Sequence, residues 1–450
     1  MTNRKAQIST AVAALLLAGA AACSTSDLLD VETPDQITPE QAESAVGAAS
    51  LRASALGNFA AFYGGDYGGS FHGLTITSGM LTDEIESARG GTEHLDSRAQ
   101  NEGVQPLSTT WAFVGQSTTQ TVRAIRALKE FAPEGTAAEK ATKATQVGHL
   151  MLLQGFAYTL LAENYCSGIP IANADDLDPK TDILTTAQMF SRAQAYFDSA
   201  ATTLGTTSAD LPFRTAVAVG RGRVLLDLAQ YDAAAAAVTA VPNIFSFAIG
   251  YSQTSVVNAV YDWMNATLNY APANREGGNG MDYITANDPR VTVRRNSDGS
   301  PTPRAGQDGA IHYTQTVWAT GNAAIPIATG VEARMIEAEA ALKKGDATTW
   351  LAKLNEARAT IPALTQLADP GSTTARENLL FRERAFWFWG TAHRLGDLRR
   401  LVKQYSRTAE SVYPTGPYFK GGAYGTDVVV IPAQAEKNNP EFTGCSATAP

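Results

Sequence analysis

Residues 331–361 read VEARMIEAEAALKKGDATTWLAKLNEARATI. Val331, Met335, Ala338 and Leu342 recur at helical spacing and share one face. The tight turn KKGD, residues 343–346, ends that run, and a second helix follows. Residues 214–241, RTAVAVGRGRVLLDLAQYDAAAAAVTAV, repeat the plan. An Ala/Leu-rich helix is followed by the turn AQYD and then by another helix.

A helix–turn–helix unit of ~30 residues, with small residues where helices touch, resembles a tetratricopeptide repeat. The neighbouring sequence extends the stack. Residues 188–204 suit a further helix of it, and residues 111–131 are also helical. Residues 146–165 form the most apolar helix. Val147, Leu150, Met151, Tyr158 and Leu161 make one face, and Leu153, Phe156 and Leu160 make another. A helix apolar on two sides is buried in a helical stack. Upstream, Thr38-Pro39-Glu40 supplies an N-cap, a first-turn Pro and a first-turn acid for a helix to about Tyr63. The closing helices span residues 376–404, and Val428 to Ile431 read as a short strand. The fold class is therefore mostly α: a TPR-like helical scaffold over about 38–244 and 328–404. A smaller irregular, loop-rich subdomain occupies about 245–327, and a C-terminal loop and tail occupy 405–450.

The chain starts with an export-type segment. Arg4 and Lys5 precede the apolar run AVAALLLAGAAA at 11–22, and Cys23 closes it. That run falls short of the ~18 apolar residues of a membrane helix. A Cys directly after small residues suits a lipoprotein signal over 1–22, with lipid on the Cys23 sulfur and a tether over 23–37. An ordinary secretory signal with an incidental Cys is the alternative. Of 450 residues about 428 would be mature, enough for one large domain or two intimately packed ones. With Arg4 and Lys5 removed, 33 basic residues face 44 acidic ones, a net charge of about −11. No basic block stands out, which argues against nucleic acid as a partner. Cys166 and Cys445 remain, and in an oxidising envelope two leftover thiols pair, so a Cys166–Cys445 disulfide is expected. Two free buried cysteines are the alternative.

Chemistry is poorly supported. His72, His94, His149, His312 and His393 include no H-x-x-x-H pair, and there is no G-x-S-x-G and no phosphate loop. No metal site and no cofactor are expected. Asp175, Asp176, Asp178 and Asp182 could ligate calcium, but the EF-hand Gly and terminal Glu are missing, so a structural role is favoured. Asp83, Glu84 and Glu86 could be imagined as glycosidase acids; a solvated acidic face within a polar surface stretch, 80–100, is the favoured reading. Binding is better supported, by aromatics in loops. Sugars stack apolar C–H faces on such rings. Tyr67 and Phe71 lie in the Gly-rich loop GGDYGGSFHG at 64–73. Trp263, Tyr270 and Tyr283 lie in the irregular middle, and Trp318 follows. Glu86 and Arg89 are the polar candidates for the same ligand site.

Taken in order, several short segments resemble the SusD/RagB family of nutrient-binding outer-membrane lipoproteins. They are Asp27-Leu28-Leu29-Asp30, Thr82-Asp83-Glu84, Glu163-Asn164-Tyr165, Gly168-Ile169-Pro170-Ile171 and Asn287-Asp288-Pro289-Arg290. Ala338-Glu339-Ala340 and Leu354-Asn355-Glu356-Ala357-Arg358 match the family's paired late helices. Arg382-Glu383-Arg384, Gly390, His393-Arg394 and Asp397-Leu398-Arg399-Arg400 resemble its C-terminal signature, and Ile431-Pro432 and the late Asn-Pro follow. Ala385-Phe386-Trp387-Phe388-Trp389 departs from the pattern, with aromatics where the family carries a carboxylate. Read by itself, this stretch suggests ion pairs between helices through Arg382, Glu383, Arg394, Asp397 and Arg399, with Phe386 and Trp389 packed inward. The resemblance implies a cell-surface lipoprotein without catalytic activity. It would hold an oligosaccharide or peptide over a SusC-type TonB-dependent transporter, touching the outer membrane through its lipid anchor only. A TPR-like envelope scaffold and a glycan hydrolase are the alternatives.

Overall fold

The helices begin where the sequence can satisfy their first N–H groups. The computed structural model describes residues 43–447 except 69, 102, 104 and 173–180. The signal over 1–22, Cys23, the tether, the helix start at 38–40 and Asp175, Asp176 and Asp178 lie outside the described residues. Thr136 and Glu139 form a reciprocal capping box ahead of one long helix, and Thr185 and Gln188 form another. Ser44, Thr329, Asp346 and Ser372 each cap a helix with one side-chain oxygen. The main helices are α1 Ala45–Gly64, α2 Gly73–Met80, α3 Gln105–Phe131, α4 Ala137–Asn164, α5 Thr186–Thr203 and α6 Leu211–Asp227. α7 Tyr231–Val238, α8 Gly330–Lys343, α9 Ala347–Arg358, α10 Thr373–Trp387 and α11 Arg394–Gln404 follow.

Four helix pairs stand in a row: α1 with α3, α4 with α5, α6 with α7, and α8 with α9. Each pair touches the next through α3–α4, α5–α6 and α7–α8. This is the mostly helical, TPR-like scaffold read from the sequence. Small residues set the spacing, as in such repeats. A Cβ at Gly155 on α4 would stand 2.6 Å from the Phe197 ring, and one at Gly220 on α6 would stand 2.4 Å from it. Both helices close on the same fully buried ring, so neither site can take a larger residue without displacing it.

The strands are short and lie in antiparallel pairs. β1 Ile85–Ser87 pairs with β5 Tyr270–Pro272, and β2 Ile169–Ala172 with β3 Thr181–Leu184. β4 Ser246–Ile249 pairs with β8 Ile325–Thr329, and β6 Pro303–Ala305 with β7 Ile311–Tyr313. The segment 428–431 does not form the expected strand. Only Val430 bridges, to Tyr165. The carbonyls of Val428 and Val429 accept from Tyr413 Oη and Gln100 Nε2, so side chains take the place of a second strand. Cys166, just past α4, is joined to Cys445 by a disulfide, with Cα atoms 5.6 Å apart.

A buried charge network ties the row of pairs to α10 and α11. Arg394 grips Asp83 with two hydrogen bonds of 2.6 and 2.7 Å. Arg384 and Arg400 share Asp397, and Arg400 reaches on to Glu339 and, at 3.3 Å, Asp227. Arg223 on α6 pairs with Glu332 on α8 through bonds of 2.6 and 2.8 Å. Glu383 joins Arg290 to Arg358. Arg382 reaches the half-buried Asp282, and Arg399 donates to the carbonyls of Ala162, Glu163 and Tyr165 at the end of α4. Most of the charged residues in the motifs quoted above that lie among the described residues are members of this network, and Phe386 and Trp389 pack inward beside it.

Asp83 and Glu84 therefore do not lie on a solvated acidic face. Both are fully buried, as is most of 80–88. Composition marked the segment as surface, because the arginine that neutralises it comes some three hundred residues later. Glu84 Oε1 accepts the Gly390 N–H, while Oε2 has no donor. Gly390 has φ +65, and a Cβ there would meet Trp318 at 2.5 Å, so glycine is required. Burial pushes the Glu84 carboxyl up to about 8, against the pull of the Gly390 N–H and Arg394. The folded chain then keeps a proton that the unfolded chain releases from its ordinary 4.5 upward. Stability contributed by this group is present below that value and is lost as pH rises towards about 8. Glu84→Gln should flatten the fall in the urea midpoint between pH 5 and pH 8.5. A slope equal to that of the unmodified protein would show Glu84 ionised throughout.

Candidate functional site

Strand alternation directs Glu86. Ile85 and Ser87 face the core, so Glu86 between them faces away from it, opposite Ala271 on β5. Beside it opens a cleft of about 700 Å³, within the usual range for small-molecule sites. One wall follows β5, with Asn274, Arg275 and Glu276. A second is the β6–β7 hairpin, with Ile311 and Tyr313. The third is the C-terminal loop, with Pro417, Phe419 and Tyr424. Phe419 and Ile311 expose 51% and 63% of their surface, which leaves apolar faces free to stack on a ligand.

Glu86 and Glu276 line the cleft, and a third carboxyl, the fully buried Asp96, lies behind them. Asp96 Oδ2 accepts from the Ser87 N–H at 2.9 Å and from Tyr418 Oη at 2.8 Å, while Oδ1 has no donor. Glu276 lies against it, joined to Asp96 by a side-chain hydrogen bond through a shared proton, with no N–H or hydroxyl donor of its own. Burial pushes Glu86 up to about 8, helped by Asp96, and pushes Asp96 to about 7. Burial also lifts Glu276 well above the carboxylate range, helped by Asp96, Glu86 and Asp83. The half-buried Lys420 acts on Glu86 and Asp96, and its Nζ is held by Asp308 and the Ser87 carbonyl.

Of the eight sequence candidates, Glu86 lines this cleft. Tyr67 packs edge-on against Trp263 at 5.2 Å, and Phe71 against Phe113 at 4.5 Å. Arg89 lies over the Trp263 ring, whose other contacts include stacking on His72 at 4.6 Å. Trp263, Tyr270, Tyr283 and Trp318 are buried; Tyr283 packs on Phe386 and Trp318 stacks on Trp389. The sequence reading missed Asn274, Arg275, Glu276, Tyr313, Phe419 and Tyr424. A signal for two of them was present: GPYFKGGAYG at 416–425 is as rich in glycine and aromatics as the loop at 64–73.

Two other hollows differ in kind. A groove of about 560 Å³ between α5, α6 and α7 is lined by alanines with Arg214 and Arg221. A cavity of about 30 Å³ beside Glu163 and Arg399 has room for a water and not for a sugar.

No family model matches the chain, and no curated protein does. Solved structures do match. A SusD superfamily protein from Parabacteroides distasonis ATCC 8503 aligns over 91% of this chain and 99% of its own, with TM-score 0.63 and 12% identity. A SusD-like carbohydrate-binding protein from Bacteroides vulgatus ATCC 8482 aligns over 87% and 96%, with TM-score 0.62 and 14% identity. A SusD superfamily protein from Bacteroides fragilis gives 89%, 98%, 0.62 and 14%. The shared feature at such identities is the fold.

Proposed function

We propose that this chain, which has a SusD-like fold, is a surface lipoprotein that binds a glycan in the cleft between Glu86, Glu276, Tyr313 and Phe419. The observation that carries the reading is that cleft: the exposed Phe419 ring and the half-buried Tyr313 and Tyr424 beside fixed polar groups, in a fold also found in a SusD-like carbohydrate-binding protein. Cys23 is the proposed lipid anchor, at the end of the export-type segment. Among the described residues no helix is long and apolar enough to cross a membrane. Handing the glycan to a SusC-type TonB-dependent transporter completes the proposal, and it rests on the sequence resemblance.

The role is binding without cleavage. Glycoside hydrolysis needs one carboxyl that stays ionised beside one that donates its proton. Glu86 and Glu276 are both shifted in the same direction, towards the protonated form, whereas cleavage calls for two lining carboxyls pushed apart. Titration calorimetry with a panel of oligosaccharides should find a binder. Phe419→Ala together with Tyr424→Ala should weaken it more than tenfold, since stacking faces are lost. Unchanged affinity in that double variant would move the site elsewhere. Release of reducing ends during incubation would refute the non-catalytic role.

A further inference from the structure

Glu276 is an unusual residue to find in a cleft wall. It is 5% exposed, and its one hydrogen-bond partner is another acid, Asp96, with which it shares a proton in the absence of any N–H or hydroxyl donor. A buried carboxyl without donors is costly, and natural proteins rarely leave one without a purpose. Asp96 Oδ1 is in the same condition beside it. Glu86 joins them from β1.

We propose that these three carboxyls form a receptor for a primary ammonium, and that the glycan bound in the cleft carries free amino sugars. The inference rests on the glycan-binding reading above. An ammonium offers three N–H donors and one compact charge. Such donors would replace the proton that Glu276 and Asp96 share, where no N–H or hydroxyl of the chain serves Glu276 or Asp96 Oδ1. The stacking faces of Phe419 and Tyr313 sit along the same cleft, as a pyranose ring attached to that amine requires.

The local charge balance favours a cation. Glu86, Asp96 and Glu276 face one another, with Asp83 behind them already paired to Arg394. Lys420 offsets Glu86 in part, but Asp308 claims it as well. Arg275 sits on the rim with its side chain 68% exposed, 3.9 Å from Asp282. Tyr418 and Tyr424, both held neutral by burial, supply no positive charge. Without ligand, the cluster holds protons because its negative charges are buried together. An arriving ammonium takes over that role, so binding releases protons to solvent and tightens as pH rises from 6 to 7.5.

The test compares three probes on the mature protein by titration calorimetry: a glucosamine oligomer, its N-acetylated counterpart and a neutral oligosaccharide panel. The free-amine oligomer should bind at least tenfold more tightly than the N-acetylated one at pH 7.5. The comparison should also show buffer-dependent heats that report proton release. Glu276→Gln should abolish that preference; Glu86→Gln, at a half-exposed position, serves if the first variant does not fold. Equal binding of the free-amine and acetylated oligomers would overturn the ammonium receptor and leave glycan binding intact. Tighter binding of a lysine-bearing peptide than of any amino sugar would overturn it too. Failure of every carbohydrate in the set would overturn the glycan reading itself.

Discussion

Arg394→Met is expected to cost about 3–5 kcal/mol of folding stability, among the largest single-residue effects in this chain. The pair it breaks, Asp83–Arg394, is bidentate and buried on both sides. Removing the guanidinium leaves the Asp83 carboxylate in a site that water does not reach, with the Met281 N–H as its remaining donor. The loss measures an uncompensated charge and not the worth of the pair. For that reason Asp83→Leu combined with Arg394→Met should recover most of it. The shortfall should be about 1–3 kcal/mol, because the Met281 N–H then has no acceptor. Urea midpoints of the two variants decide the matter. A single substitution costing less than about 1 kcal/mol would mean that water or a neighbour replaces the arginine. Arg376→Ala, which breaks an exposed pair with Asp369, is the control and should leave the midpoint in place.

Loss of the Cys166–Cys445 disulfide is the second large effect. The two residues are 279 positions apart in sequence. Closing a loop of that length restricts the unfolded chain by about 6 kcal/mol on the chain-entropy account, and measured removals run at about 2–5. Cys166→Ala with Cys445→Ala should therefore lower stability by about 2–5 kcal/mol. The expected lesion is local as well. Ser167 and Ser446 exchange backbone hydrogen bonds beside the disulfide, so the crosslink and this bridge hold the tail at the same place. Adding reductant to the unmodified protein should reproduce the variant's midpoint. A midpoint indifferent to reductant would show that the tail is held by its hydrogen bonds alone.

The helices were legible because their signals are local. Apolar spacing in 331–342 and the KKGD turn need no knowledge of the rest of the chain, and α8 and α9 lie there. The helix starts were less so: α4 begins at a Thr136–Glu139 box nine residues ahead of the apolar run. The ion network was half legible. The arginines of 382–400 announced pairing, but which carboxyls they would meet depends on contacts across the whole chain. Asp83 and Glu84 were misplaced for that reason. The site was the least legible part. Aromatics in glycine-rich loops identify loops with something to bury or to offer, and cannot say which. Trp263 and Trp318 turn inward, whereas Phe419 turns outward. Glu276 carries no sequence signal at all, because its interest lies in donors that are missing.

The arginine clamps have a mechanical consequence. A row of helix pairs in contact only with its neighbours is elastic along its length, and bends by small rotations summed over the repeats. Here α11 crosses that row as a splint: Arg394 is pinned to the segment after α2, Arg399 to the end of α4, and Arg400 to α6 and α8. Successive repeats cannot rotate independently without pulling a charge off its partner. Force applied at one end is therefore carried to the other as displacement of a stiff plate, with the loops around the cleft riding on it unstrained.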